Sequence, residues 1–300
     1  RQRQMCIRDS PYTEGAAVNP GPFLLEVSHD WRNTTTPYGP LHLWMGKGVT
    51  QLVGDHVAAG IIVYKIISVI GFAVIAWSIP RLARAIGGDP ALALWLGVAN
   101  PVMILHLIGG MHNESVMVGL VSLGLLAAVH HKFHASLLLV GIAVSLKATA
   151  VFAAPFIVWL MVHRWAPEGT KTLKRVGVFL LSGFVAVAEV AIAVAVITWA
   201  SGSSWGWLSQ ISGNSKVINP LAGPTLLADV LVPLIQFFSP DTTYNGVLGV
   251  LRSAGMVLML LGLVLVWWWG RTGVRRAIAA TAAAYQVAFA LNSAPFPWNS

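Results

Sequence analysis

Apolar runs of more than about 20 residues decide most of what this chain can become. His56–Ile79, Leu173–Ala200 and Gly246–Trp269 are such runs, and roughly 20 apolar residues suffice for a helix to cross a bilayer. Only 10% of the 300 residues are charged and 56% are hydrophobic, whereas a soluble domain carries about 25% charge. That leaves too little polar surface to coat a water-soluble globule. In lipid the backbone must satisfy its own donors and acceptors, so the runs read as helices. The sequence therefore predicts an all-α fold, a polytopic transmembrane helical bundle with long extracytoplasmic loops. The formal net charge of +8 fits basic cytoplasmic links. It does not suggest nucleic acid, because no basic, aromatic-interleaved soluble surface is present.

Along the chain, residues 1–10 (Arg1–Ser10) are charged, lack apolar periodicity and have no signal-peptide core. They resemble a translated sequencing adapter and read as foreign to the rest of the chain. Residues 295–300 stop in a polar turn, so both ends suit a piece of a longer membrane protein. Residues 11–55 form a polar, Pro- and Gly-rich extracytoplasmic loop with a short helix near Leu41–Leu52. A loop of that length is usually functional. Residues 56–300 form the transmembrane domain, with a second outer loop at 201–245.

Spans are expected at His56–Ile79, ended by Pro80, and at Ala91–Ile108, kinked by Asn100-Pro101. Others are expected at Ser115–Val129, Leu173–Ala200, Gly246–Trp269 and Ala277–Leu291. Ala135–Val162 divides into two short segments broken at Lys147. That division keeps Arg164, Lys171, Lys174 and Arg175 on the same side as Arg81, Arg84, Lys132, Arg271, Arg275 and Arg276, in line with the positive-inside bias. The 201–245 loop holds Trp205, Trp207 and an apolar piece, Leu226–Phe238, expected in the membrane interface. No internal repeat is visible, which weighs against the alternative of a transporter or flippase of a lipid-linked intermediate.

Ionisable groups in or beside a span need a reason, since each costs about 2.5–3.5 kcal/mol to insert centrally. Met111-His112-Asn113-Glu114 sits at a membrane-water boundary, where His112 and Glu114 suit hydroxyl binding or acid–base work. Lys147, at a helix break, suits pairing with a phosphate or a carboxylate. Asp30-Trp31-Arg32 and Tyr38 combine aromatic faces with charge, a set that suits sugar rings. Glu189 reads as a structural group facing either a polar interior or a helix neighbour. With Cys6 the only cysteine, no thiolate metal site can form. His130, His131 and His134 sit beside Lys132 and read as a solvated basic turn rather than a metal site.

Several of these residues fall into ordered motifs. They are Pro11-Tyr12-Thr13-x-Gly15, Asp30-Trp31-Arg32-x-Thr34, Thr36-Pro37-Tyr38-Gly39-Pro40-Leu41, Asn100-Pro101, His106-Leu107-Ile108-Gly109-Gly110-Met111-His112-Asn113-Glu114 and Lys147-Ala148-Thr149. In this order they resemble the polyprenol-phosphate-mannose-dependent α-1,6-mannosyltransferases of bacterial lipomannan assembly, integral-membrane glycosyltransferases of the GT-C class. The resemblance runs from Pro11 to Pro297-Trp298.

It implies a multi-pass protein of the bacterial plasma membrane whose site faces outside the cytoplasm. The donor would be mannose on a polyprenyl phosphate and the acceptor a growing glycolipid mannan, with no cofactor and no metal. The reaction would be inverting and base-catalysed. Substrate contacts would fall on Tyr12, Trp31, Arg32, Tyr38, His112, Asn113 and Lys147. The class places its catalytic Asp in the first outer loop, which here would lie upstream of Pro11. Only Asp9, in the adapter-like segment, stands there. Asp30 and Glu114 are the remaining outer carboxylates to consider as bases.

Overall fold

The computed structural model describes residues 10–18, 21–213 and 222–291, and all regular structure among them is helical. The opening loop is folded rather than extended. It contains 3-10 turns at Ala16–Val18 and His29–Trp31 and a short helix at Pro22–Leu25. It ends in α1, Pro40–Val53, which Pro40 starts at the first helical position, where its missing N–H costs nothing. The loop is tied to itself by Thr36 N–H donating to Pro11 O at 2.9 Å and Ala17 N–H to Arg32 O at 2.8 Å.

α2 runs Val57–Ala85 with Pro80 inside it. The expected stop at Pro80 is therefore corrected: the helix continues for five more residues. Arg81 supports this stretch, donating to Trp77 O at 2.7 Å with its guanidinium 4.1 Å from the centre of the Trp77 ring. Membrane helices tolerate proline where neighbours satisfy the freed backbone groups.

α3, Pro90–Gly97, is capped by the Asp89 side chain, and α4 is Pro101–Gly109. They are bent by 54° at the Asn100-Pro101 break, where Asn100 Oδ1 accepts from Val102 N–H at 2.9 Å. The second part of α4, Ile104–Gly109, is wound as a π-helix.

α5 (Glu114–Val129) packs lengthwise on α2. A Cβ on Gly71 of α2 would lie 2.6 Å from the Ser115 carbonyl carbon, so the close approach depends on a small residue. α6 is Phe133–Leu146, and Lys147 is then extended (φ −152°, ψ 124°), which ends the helix. α7, Ala148–Trp165, begins as a 3-10 turn and returns until Trp165 meets Phe133 edge-on at 5.3 Å. The break at Lys147 thus makes an antiparallel hairpin, as the charge pattern predicts. Leu137, Val140, Leu146, Ile157 and Met161 of this hairpin are fully buried at the centre of the core.

α8 (Thr172–Ser201) flanks the hairpin and ends at Gly202 in the left-handed conformation, φ 71°. A short α9, Trp207–Gly213, comes next. α10 (Gly223–Phe238), α11 (Tyr244–Gly270) and α12 (Val274–Leu291) complete the described chain. α10 folds back along the first half of α11, burying Ala228 and Val232 against Leu248.

α2, α7, α8 and α11 are long and apolar enough to cross a membrane, and α3 with α4 passes the same test as a bent pair. Their outer surfaces carry exposed Leu180, Phe184, Val187, Leu261, Val264 and Leu265, while buried positions include Ser78, Ser136 and Ser182. Small and polar residues inside with large apolar residues outside is the pattern of helices packed within lipid. Arg81, Arg84, Lys132, Arg164, Lys171, Lys174, Arg175, Arg271, Arg275 and Arg276 gather at one end: the close of α2, the α5–α6 turn, the close of α7, the start of α8 and the α11–α12 turn. The opening loop and the α4–α5 turn lie at the other end.

Candidate active site

A cavity of about 570 Å³ opens at the end of the bundle away from the basic links. Three parts of the chain wall it. The opening loop supplies Glu26, Val27, Ser28, Trp31 and Tyr38, and α1 adds His42 and Met45. α2 supplies Tyr64, Ile67 and Ser68, and the α4–α5 turn supplies Gly110 to Asn113, with Val116 from α5.

The Tyr38-Gly39-Pro40 motif is what docks the loop. α6 stops at Leu146, leaving its last carbonyls without helical partners. Gly39 N–H donates to Leu146 O at 3.1 Å. A side chain at residue 39 would overlap the Ser145 carbonyl, so only glycine permits this approach. Its neighbours are thereby placed: Tyr38 comes within 6.0 Å of Lys147 Nζ, and Pro40 starts α1. The Tyr38 ring meets His42 at 4.4 Å, and Asn113 Nδ2 donates to His42 Nδ1 at 3.3 Å.

The α4–α5 turn is equally determined. Lys65 of α2 donates to Ile108 O at 2.6 Å and Gly109 O at 2.9 Å, closing the end of the π-helix. Met111 then takes a left-handed φ of 53°, an uncommon conformation for a side-chain-bearing residue. That fold-back stacks His112 on His106 at 4.1 Å. A Cβ on Gly110 would lie 2.7 Å from His112 Nε2, so the glycine makes room for the imidazole. Burial, then the neighbouring His106, push the His112 pKa below its usual value, Glu114 opposes this and Lys147 adds to it. The ring is neutral at neutral pH.

Behind the wall lies the buried ion pair of Glu114 with Lys147. Glu114 opens α5, where the helix dipole favours a carboxylate. Its Oε2 makes no hydrogen bond and lies 3.8 Å from His112 Nδ1.

The residues singled out from the sequence divide into three groups. Trp31, Tyr38, His112 and Asn113 line the cavity. Lys147 and Glu114 do not; they pair with each other through Glu114 Oε1, so the carboxylate considered as a base is engaged on one oxygen by an ammonium, and the Lys expected to meet a phosphate or a carboxylate meets that of Glu114. Tyr12 and Arg32 have positions in the loop instead. Tyr12 is buried beside Gly206 and Trp207, with burial pushing its phenol pKa upward, and Arg32 Nε donates to Val27 O at 2.9 Å. Asp9 and the Asp30 side chain fall outside the described residues. Glu189 pairs with His134 of α6, a helix neighbour, and His134 stays exposed to solvent, as do His130 and His131.

The second outer loop supplies no cavity wall among the described residues, though Gln210 ties it to the first by donating to Tyr12 O at 2.8 Å and accepting from Thr35 at 2.6 Å. Sequence reasoning missed Glu26, His42, Tyr64, Ser68 and Lys65. Lys65 had a signal, as the charge within the run His56–Ile79.

Comparison with known proteins bears on what this site does. The family model described as "Alpha-(1->6)-mannopyranosyltransferase, N-terminal domain" matches residues 3–163, more than half of the chain. The chain belongs to the alpha-(1->6)-mannopyranosyltransferase family. The matched part includes the opening loop, α1 to α6 and most of α7, and so every wall of the cavity. Alpha-(1->6)-mannopyranosyltransferase A of Corynebacterium glutamicum is 58% identical over 97% of this chain and 62% of its own length. The protein of the same name from Mycobacterium tuberculosis is 34% identical over 97% of this chain and 56% of its own length. The chain thus spans less than two thirds of these curated family members. No solved structure matches it.

Proposed function

We propose that this chain carries the donor- and acceptor-binding cavity of a membrane mannosyltransferase of the GT-C class. It would move mannose from a polyprenyl phosphate to a growing α-1,6-mannan of a cell-envelope glycolipid. The observation behind this reading is the cavity wall. Trp31, Tyr38 and Tyr64 offer aromatic faces, and His42, Asn113, Ser68 and Glu26 offer hydrogen-bonding groups. A pyranose has apolar ring faces for the first set and rim hydroxyls for the second, the usual division of labour in a ligand pocket.

The chemistry fits the same wall. A phosphate-linked leaving group departs as a stable anion and needs no acid. The acceptor hydroxyl must lose one proton to a base. Attack opposite the departing phosphate inverts the anomeric carbon. No cofactor or metal enters this scheme. The family membership supports mannosyl transfer, and the basic links at the far end support a cavity facing outside the cytoplasm.

The test is transfer of labelled mannose from polyprenyl-phosphate mannose to a mannan acceptor, in membranes carrying the full-length gene product. Labelled, lengthened acceptor is expected. Its absence with folded protein overturns the proposal. Orientation is tested by cysteine labelling in intact cells with Cys6 replaced: an impermeant thiol reagent should reach Ser28→Cys and not Thr272→Cys.

A further inference from the structure

We propose that the α11–α12 turn holds the phosphodiester of an anionic phospholipid, with Arg271 as its central contact and Arg175 beside it. The site lies at the basic end of the bundle, opposite the cavity. It goes beyond the mannosyl-transfer reading and stands independently of it.

Two features place the Arg271 guanidinium where acyl chains give way to headgroups. Leu261, Val264, Leu265 and Trp268 recur at three- and four-residue spacing along the last turns of α11, and all are exposed. That spacing puts them on one helix face, an apolar stripe turned towards lipid. α11 closes at Gly270, and the Arg271 guanidinium then lies over the Trp268 ring, 3.8 Å from its centre. Tryptophans at the end of a span sit at headgroup level, and exposed Trp269 continues the belt.

The guanidinium so placed is not satisfied by the protein. Arg271 Nε is buried and makes no hydrogen bond, and no carboxylate pairs with this side chain among the described residues. A buried donor without an acceptor is costly. Arg81, at the same end, is the contrasting case. It too lies over an exposed tryptophan, Trp77, but it donates to Trp77 O at 2.7 Å.

More positive charge converges on the turn. His163, near the end of α7, bonds the Arg271 backbone carbonyl and lies within electrostatic reach of Arg175 on α8. Its Nε2 is buried and makes no hydrogen bond. Arg175 is half-buried, and among the described residues no carboxylate pairs with it. Glu168 of the α7–α8 link also reaches His163, but it is exposed and pairs with neither arginine.

A phosphodiester fits this arrangement. Its two free oxygens match the planar fork of a guanidinium, which stacking on an aromatic face leaves open at the edge. The acyl chains of the same molecule continue down the Trp268–Leu261 stripe. Free phosphate would use the fork and not the stripe. A choline headgroup would set a second cation against Arg271 and Arg175. Basic groups next to spans attract the anionic lipids of the cytoplasmic leaflet, the leaflet to which the positive-inside bias assigns this end.

The test titrates dioleoyl phosphatidylglycerol and dioleoyl phosphatidylcholine into the full-length protein in detergent, read by native mass spectrometry. Wild type should bind one phosphatidylglycerol more tightly than phosphatidylcholine. R271Q should weaken that lipid about 5- to 10-fold, since one cation at an anionic surface is worth about a factor of five and the paired hydrogen bonds add to it. R271K should recover only part of the loss, because an ammonium lacks the planar fork. R84Q removes an equal charge from α2 and should stay within twofold of wild type. Equal affinity for the two lipids overturns the proposal. So does an R84Q loss as large as that of R271Q, the mark of a diffuse charge effect only. Thermal unfolding separates the sources: phosphatidylglycerol should stabilise wild type more than R271Q, and millimolar inorganic phosphate should stabilise neither. Equal stabilisation by phosphate overturns the assignment to lipid. Should R271Q fail to fold, R175Q carries the same expectation, and R175Q binding like wild type then overturns the site. No readout here requires transfer activity, so this proposal and the mannosyl-transfer reading fail separately.

Discussion

Replacing Lys147 by Met is the sharpest probe of how this site is held together. Lys147 and Glu114 are each less than 10% exposed, so solvent screens them little. At a hydrogen-bonded separation of about 3 Å and an effective dielectric near 20, their attraction is roughly 5–6 kcal/mol. Taking each ion out of water costs several kcal/mol, so the intact pair contributes little net stability. Removing one partner is different, because it strands the other: breaking a buried pair costs about 3–5 kcal/mol.

Here the stranded carboxylate opens α5, and a helix N-terminus returns about 0.3–1 kcal/mol, up to about 2 when partly buried. Lys147→Met should therefore destabilise by about 2–4 kcal/mol, on combining those two ranges. The double variant Glu114→Leu/Lys147→Met should lie near wild type. The assay is reversible unfolding in detergent monitored by tryptophan fluorescence, run as a double-mutant cycle. A single variant that loses less than about 1 kcal/mol, or a double variant no more stable than the single, refutes the reasoning.

Gly39→Ala should cost about 1–3 kcal/mol, because the added Cβ meets the Ser145 backbone, which cannot swing aside; the same variant should weaken donor binding, measured as KM, by displacing Tyr38. Trp31→Ala should raise KM about 10-fold with kcat little changed, a loss of roughly 1.4 kcal/mol of binding. Lys65→Met leaves the Ile108 and Gly109 carbonyls without their donor and should cost about 1–3 kcal/mol in the same unfolding assay. Stability should fall as pH drops below about 6.5: the folded His112 pKa is lowered, so the unfolded chain binds more protons in that window, and His112→Gln should flatten the fall.

How much of the fold and site was legible in the sequence is best seen residue by residue. The break at Lys147 came from charge alone, because a single span would have put Arg164, Lys171, Lys174 and Arg175 on the wrong side. The kink at Asn100-Pro101 came from proline's missing N–H. Pro80 misled for a related reason: the same missing N–H is tolerated in α2, with Arg81 reaching back to Trp77 O. Tyr12 and Arg32 share their residue types with Trp31 and Tyr38, yet only the latter two line the cavity, while Tyr12 packs on Gly206 of the second outer loop and Arg32 bonds Val27 O; no local pattern separates the two pairs. His42 gave no signal, since its importance lies in Asn113, 71 positions away.

Composition and periodicity by themselves determined that this chain is a helical membrane bundle with its basic links at one end. Those properties depend on how each segment partitions between lipid and water, which is a local property. Which polar groups share a cavity was decided by tertiary structure alone. The Glu114–Lys147 pair, the His106–His112 stack and the docking of Gly39 on Leu146 each join segments whose meeting depends on helix packing. Burial then gives these groups properties that no single stretch carries: an imidazole whose pKa desolvation lowers, and a carboxylate engaged by the lysine at the end of another helix.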